Sequence, residues 1–254
     1  MIHPTAVIDP AAELDADVEV GPYAVIGPKV RVGRGTRIGP HTVIRGPTRL
    51  GAENRVFQFA SVGEEPQDKK YGGEETLLEI GDRNVIREYA TLHRGTVQDA
   101  GVTRVGNDNL FMAYSHVAHD CQIGDNVIMA NAASLAGHVQ VQDWAILGGF
   151  TIVHQFCRIG AHSFCAMGSV ITKDVPPFVL IGGHPAEPRG INVEGIRRRN
   201  LDNEAIQHIK SAYRLLYLSN RKLEDAVIAM RELACPEVTQ MADFVAESAR
   251  SIVR

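Results

Sequence analysis

Residues 105–160 read VGNDNLFMAYSHVAHDCQIGDNVIMANAASLAGHVQVQDWAILGGFTIVHQFCRIG, and this stretch decides the fold. A large apolar residue returns every sixth position: Val105, Phe111, Val117, Ile123, Met129, Leu135, Val141, Leu147, Val153 and Ile159. The beat continues forward to Cys165 and Ile171, and backward through Leu92, Ile86 and Ile80 to an unbroken run from Val62 to Ile2. A period of six matches neither an α-helix nor a simple alternating strand. It matches a parallel β-helix of hexapeptides, in which each hexad makes one flat side of a prism and a corner. The spacing predicts strands of about five residues, one per side. Three hexads close one coil, and coils stack at roughly 4.8 Å, the ordinary spacing of paired strands. Glycine often follows the beat, as at Gly21, Gly33, Gly81, Gly106 and Gly148. It is expected there because it tolerates a corner backbone that a Cβ would penalise.

The 254-residue chain has room for this prism and one small further unit. We expect the prism over 1–190, with an external loop near 64–77, and a helical domain over 191–254. The loop is predicted because Val62 returns in frame only at Ile80, across the polar stretch EEPQDKKYGGEETLLE. A second interruption, QDAGVTR (98–104), adds seven residues. Segments that break a regular scaffold commonly carry function. Beyond residue 192 the period becomes helical: Ile206, Ile209, Tyr213, Leu216 and Tyr217 share one face, and Pro236 suits the first turn of a last helix.

A net charge of −4 argues against nonspecific nucleic-acid binding. The four cysteines form no Cys-x-x-Cys pair and read as small core residues of a reducing compartment. The N-terminus enters the repeat at once, without a basic and then apolar leader, and no stretch is long and apolar enough to span a bilayer. A cytoplasmic location is expected.

The histidines fall into register. Val117, Leu135, Val153 and Ile171 are 18 residues apart and so occupy one side of successive coils. Allowing for the seven-residue interruption, Leu92 joins them. His93 and His154 lie one residue after a beat on this side, His119 two after, His138 three after, and His116 just before one. Five of ten histidines near one edge point to a site, and imidazole is the usual general base at neutral pH. Zinc is the competing reading, as in the hexapeptide-repeat carbonic anhydrases. It requires imidazoles converging within about 2.1 Å of one point. His93 and His154 are three coils apart, roughly 14 Å, and cannot share an ion. His116 and His119 could, with a third ligand from a neighbouring subunit. The long column suits an extended substrate groove better, and we expect no metal.

The segments HVAHDC (116–121), LAGH (135–138) and VHQFCRIGAH (153–162) resemble the acyl-carrier-protein-dependent UDP-N-acetylglucosamine O-acyltransferases of lipid A synthesis. So do QFASVGEEPQDKKY (58–71), HRGT (93–96) and NVEGIRRR (192–199), so that the resemblance spans the chain. The resemblance implies a left-handed β-helix, a homotrimer, and transfer of a 3-hydroxyacyl chain from acyl carrier protein with no external cofactor. It implies His119 as general base, Asp120 as its supporting carboxylate and the Gly137 N–H as oxyanion donor. Asp68 and Lys70 would reach the sugar of a substrate held between subunits. His93, His116, His138, His154 and Gln155 would line the sugar and diphosphate region. Asn192, Glu194, Arg198 and Arg199 match nucleotide-binding positions. Met167 matches a position that measures the acyl chain, here to roughly ten carbons. Two segments depart from the family pattern: Gly183-His184 stands for Gly-Asn, and Asn200-Leu201 for Gly-Phe. Other hexapeptide-repeat transferases, including the later N-acyltransferase of the same pathway, and a noncatalytic scaffold are the alternatives.

Overall fold

The computed structural model describes residues 1–254. Three parallel sheets form the sides of a prism, with nine, eight and ten strands. The first side carries Val7–Ile8 and its successors, the second Glu13–Leu14, and the third Glu19–Val20. Most strands are only two residues long, as at His116–Val117, Gln122–Ile123 and Ile128–Met129, shorter than the expected five. The remainder of each hexad forms the corner.

Every beat residue from Val20 to Ile171 is buried, including Phe111 and Leu135 at 0% exposure. The small or β-branched residue four places later also points inward: Ala24, Thr36, Thr42, Ala90 and Ala133 are buried. Beats and small residues thus fill one continuous interior. Leu92 pairs with Val117, so the sides stay in register across residues 98–104.

The corners differ from the expectation for glycine. The left-handed conformation falls on ordinary residues three places after the beat, such as Tyr23 (φ 58°), Asp108 (φ 58°) and Trp144 (φ 63°). Glycine one place after the beat serves close approach instead. A Cβ on Gly33 would lie 2.7 Å from the Gly51 carbonyl carbon, and one on Gly81 would lie 2.7 Å from the Gly106 oxygen. The tight stacking of coils, rather than backbone dihedrals, demands glycine there.

The last strand, Glu187–Ile191, turns back antiparallel to Val179–Gly182 and crosses the residue 190 boundary. Four helices follow: α1 (Val193–Arg198), α2 (Asn203–Tyr217), α3 (Leu223–Arg231) and α4 (Pro236–Ala246). Asp202 caps α2 by accepting from Ala205 N at 2.7 Å. Ile196, Ile206, Ile209, Met230 and Met241 join the same buried cluster as the prism interior. Ile252 then bridges Asp174, tying the chain end to the last coil. All four cysteines are buried free thiols.

Candidate active site

Both interruptions leave the prism at one edge, where the first side passes to the second. One lies between Ser61–Glu64 and Leu77–Ile80, the other between Thr91–His93 and Val102–Val105. His119 stands at that edge too. The strand registers stack His119, Gly137 and Gln155 in one column and Asp120, His138 and Phe156 in the next. The second column is the left-handed corner, with φ of 60°, 63° and 63°. The five expected histidines therefore do not form a single line; the corner distributes them over adjacent columns.

His119 Nδ1 lies 2.8 Å from Asp120 Oδ2. The Asp120 carboxylate is almost fully enclosed and also accepts from Thr96 N at 2.8 Å and Thr96 Oγ1 at 2.6 Å. Burial alone would push this carboxyl up, but the hydrogen bonds from His119 and Thr96 outweigh it and hold it below its ordinary value. An ionised Asp120 can only accept, so His119 Nδ1 carries the proton and Nε2 keeps a free lone pair. Nε2 faces Gly137: a Cβ there would lie 2.5 Å from His119 Cε1 and 2.7 Å from Nε2. Only glycine leaves the imidazole that space. The Gly137 oxygen accepts from Phe156 N at 3.2 Å, whereas its own N–H donates to no group of the chain.

His138 packs edge-on against His119 with ring centroids 5.1 Å apart, and stacks on Phe156 at 4.4 Å. Its Nδ1 lies 2.8 Å from Asp99 Oδ2, on the second interruption. A groove of about 620 Å³ runs past these groups, lined also by Asp68, Lys70, Gln67, Gln98 and Gln155. The loop bearing Asp68 and Lys70 thus lines the same groove as His119 and His138. Arg94 anchors that loop. Its buried guanidinium donates to the Gly46 and Gly63 carbonyls at 3.0 and 2.7 Å and to Tyr71 Oη at 3.0 Å.

His93 and His116 pack edge-on at 5.2 Å beside this groove. His116 Nδ1 shares a 2.7 Å hydrogen bond with Thr91 Oγ1. Burial, and then the neighbouring His93 and His119, push His116 down to about 4, so it is neutral near pH 7. Burial likewise lowers His93. His154 is exposed and reaches only the Gln155 carbonyl, at 3.1 Å.

The remaining expected residues lie elsewhere in this chain. Asn192 caps α1, accepting from Gly195 N at 3.1 Å and donating to the His162 carbonyl at 2.9 Å. Glu194 and Arg198 form an exposed pair one turn apart at 3.2 Å. Arg199 lies 3.8 Å over the Trp144 ring, which stacks on His162. Asn200 takes φ 58°, a conformation asparagine accepts better than most residues, so its departure from glycine keeps the turn. Met167 is 81% exposed at a different edge, between the third and first sides. The ligand atoms of His119, Asp120 and His138 lie within 4.8 Å of one another. Two of them are already joined by the 2.8 Å hydrogen bond. Ligands of one tetrahedral zinc, each bonded at about 2.1 Å, would stand further apart, so this donor set fits a hydrogen-bonded dyad better than an ion.

The chain matches the family model described as Udp N-acetylglucosamine O-acyltransferase, domain 2, over residues 174–253. It matches the bacterial transferase hexapeptide model over 11–46 and 103–137. An acyl-[acyl-carrier-protein]–UDP-N-acetylglucosamine O-acyltransferase of Alkalilimnicola ehrlichii is 59% identical over 255 residues, covering 100% of this chain and 99% of its own. The protein of that name from Janthinobacterium sp. (strain Marseille) is 55% identical over 260 residues, with coverage of 100% and 99%. Among solved structures, LpxA from Acinetobacter baumannii has a TM-score of 0.97 at 47% identity and covers 100% of this chain and 99% of that one. Fold and matches together define an acyltransferase built on a left-handed β-helix of hexapeptide repeats with C-terminal helices. The chain belongs to the acyl-[acyl-carrier-protein]–UDP-N-acetylglucosamine O-acyltransferase family.

Proposed function

We propose that the protein moves a 3-hydroxyacyl chain from acyl carrier protein to the 3-hydroxyl of UDP-N-acetylglucosamine in lipid A biosynthesis, with His119 as general base. The observation that carries this reading is the His119–Asp120 pair at 2.8 Å, set against Gly137 with no side chain between. His119 Nε2 takes the proton of the sugar 3-hydroxyl as that oxygen attacks the thioester carbonyl. The Gly137 N–H, unused by the coil, holds the oxyanion that forms. The intermediate collapses, the carbon–sulfur bond breaks, and His119 returns the proton to the departing phosphopantetheine thiolate. Asp120 fixes the His119 tautomer and supports the transient imidazolium. The thioester supplies the activated acyl group, so no further cofactor enters the scheme.

Asp68 and Lys70 share the groove with the base and bind the sugar. The neutral His116 and His93, with His138, His154 and Gln155, line the sugar and diphosphate path. Asn192, Glu194, Arg198 and Arg199 lie apart from this groove within one chain, as does Met167, so the reading includes a homotrimer. In it a neighbouring copy would complete the nucleotide end and bring Met167 to the acyl end as a ruler of roughly ten carbons. Homo-oligomers close by point-group symmetry, and the threefold case is the one the family resemblance implies. No helix is long and apolar enough to cross a membrane, and the carrier-protein donor fits work in the cytoplasm. The test is incubation with UDP-N-acetylglucosamine and a panel of acyl donors. Transfer from 3-hydroxyacyl carrier protein is expected; transfer only from coenzyme A thioesters, or to an amine acceptor only, overturns the reading.

A further inference from the structure

We infer that Asp99 is a positioning residue that fixes the tautomer and orientation of His138 in the wall of the groove. The inference rests on the proposed function for its substrate, but not for its geometry. Asp99 stands on the seven-residue interruption 98–104, which carries no beat and lies outside every segment that suggested the family. Its Oδ2 lies 2.8 Å from His138 Nδ1. A carboxylate accepts and cannot donate, so it selects the Nδ1–H form of the ring. The opposite nitrogen then carries a lone pair, or a proton if the ring is charged, and lies 3.8 Å from Asp120 Oδ2.

The ring has few other ways to turn. Phe156 stacks on one face at 4.4 Å and 11°, and His119 meets it nearly at right angles. His138 is itself a corner residue at φ 63°, and its N–H is tied to the His119 carbonyl at 3.0 Å. Backbone and stacking fix the plane of the imidazole, and the remaining freedom is the exchange of its two nitrogens. Asp99 removes that freedom. The arrangement repeats the His119–Asp120 pair one coil on, with the carboxylate supplied by a loop instead of the adjacent corner residue. Asp99 is half exposed whereas Asp120 is almost fully enclosed. The second pair therefore suits binding of an approaching polar substrate more than a protected proton transfer. Asp68, Lys70, Asp99, Asp120 and His119 are the charged and titratable groups around the ring in this groove.

The consequence is that the interruption 98–104 belongs to the site, and that losing Asp99 weakens acceptor binding more than it slows the chemical step. Partners that orient metal-bound imidazoles account for about 10- to 100-fold in function, and the lower end of that scale is expected for this metal-free ring. In the full-length protein, Asp99→Ala should raise KM for UDP-N-acetylglucosamine about tenfold, with kcat changed far less, and Asp99→Glu should recover part of the loss. Selective ¹⁵N-histidine spectra, assigned with His138→Gln, read the tautomer directly. The wild type should show His138 predominantly protonated at Nδ1, and Asp99→Ala should move both ring-nitrogen shifts toward a mixture. Unchanged His138 ring-nitrogen shifts in Asp99→Ala would overturn the inference, as would a KM equal to wild type. If the wild type did not acylate UDP-N-acetylglucosamine at all, the functional reading would fall, while the nitrogen spectra would still decide the Asp99–His138 geometry.

Discussion

Two edges of the same prism share a backbone and differ in almost everything else. At the edge between the third and first sides, Tyr23, His41, Phe59, Tyr89 and Tyr114 take left-handed φ of 58–64°. Their rings stack in an exposed ladder with centroids 4.9–5.2 Å apart. At the edge between the first and second sides, Asp120, His138 and Phe156 take the same φ, yet the groove there is walled mainly by histidines, carboxylates, a lysine and glutamines. The chain passes the first edge in plain hexads, from Val56 to Val62 and from Ile86 to Leu92. At the second it spends extra residues, from Val62 to Ile80 and from Leu92 to Val105. The coil thus supplies identical mounting points at each corner. On the proposed reading, the acceptor site arises where loops are added over a corner and where a glycine, Gly137, opens room beside a histidine.

The largest expected effect separates the two edges. His119→Ala should lower kcat about a hundred- to ten-thousand-fold, since a positioned general base contributes on that scale. His119 lies outside the buried beats, so circular dichroism and light scattering should be unchanged. Gly137→Ala should come next. Its Cβ would meet the His119 ring at 2.5 Å, and displacing a catalytic group by about an ångström can cost on the order of a hundredfold. Kinetics of that variant with a near-native melting temperature would show that the glycine serves the base and not the coil.

A smaller effect is expected from Met167→Gly. The residue is 81% exposed in one chain, so stability should hardly change. If a neighbouring copy brings it to the acyl end, competition between 3-hydroxydecanoyl and 3-hydroxytetradecanoyl carrier protein should shift toward the longer chain. The scale is about 0.8 kcal/mol for each methylene newly accommodated. An unchanged product ratio would remove Met167 as the ruler.

Two further effects are read as stability. Burial holds His116 near 4, against 6.5 for a free imidazole, so the unfolded chain binds the extra proton between those values. Stability should be full above about pH 6.5 and fall as pH drops toward 4. His116→Gln should flatten that slope in thermal melts. On the opposite edge, Tyr89→Ala removes two stacked neighbours, at about 0.5–1.5 kcal/mol per aromatic pair. It should lower the melting temperature slightly and leave kcat/KM unchanged. A catalytic defect in this variant would break the division between the edges.

The fold was readable because the beat residues must all point inward, and a strict period leaves one geometry that achieves this. The register of Leu92 on Val117 followed from arithmetic once the interruption was recognised. The role of the glycines was not readable in the same way. Their positions were evident, but the reason, contact between successive coils, requires knowing which backbone atoms face one another. In the site, His119 and His138 stood out by residue type and spacing, whereas Asp120 and Gly137 were named only through the family resemblance. Asp99, Thr96 and Arg94 did not stand out, because hydrogen bonds from an irregular loop to a coil leave no periodic trace. Phe156 and Trp144 belong to corner columns that a full 18-residue register would have exposed. The edge on which Met167 stands follows from strand topology, which fixes the order of the three sides.

The most direct test is a single-turnover reaction of the protein with 3-hydroxydecanoyl carrier protein and UDP-N-acetylglucosamine, with the product placed by tandem mass spectrometry. The account predicts one ester, on the sugar 3-oxygen, formed by the wild type and nearly absent with His119→Ala. Acylation at another atom, or ester formation by His119→Ala at a rate near wild type, would contradict it.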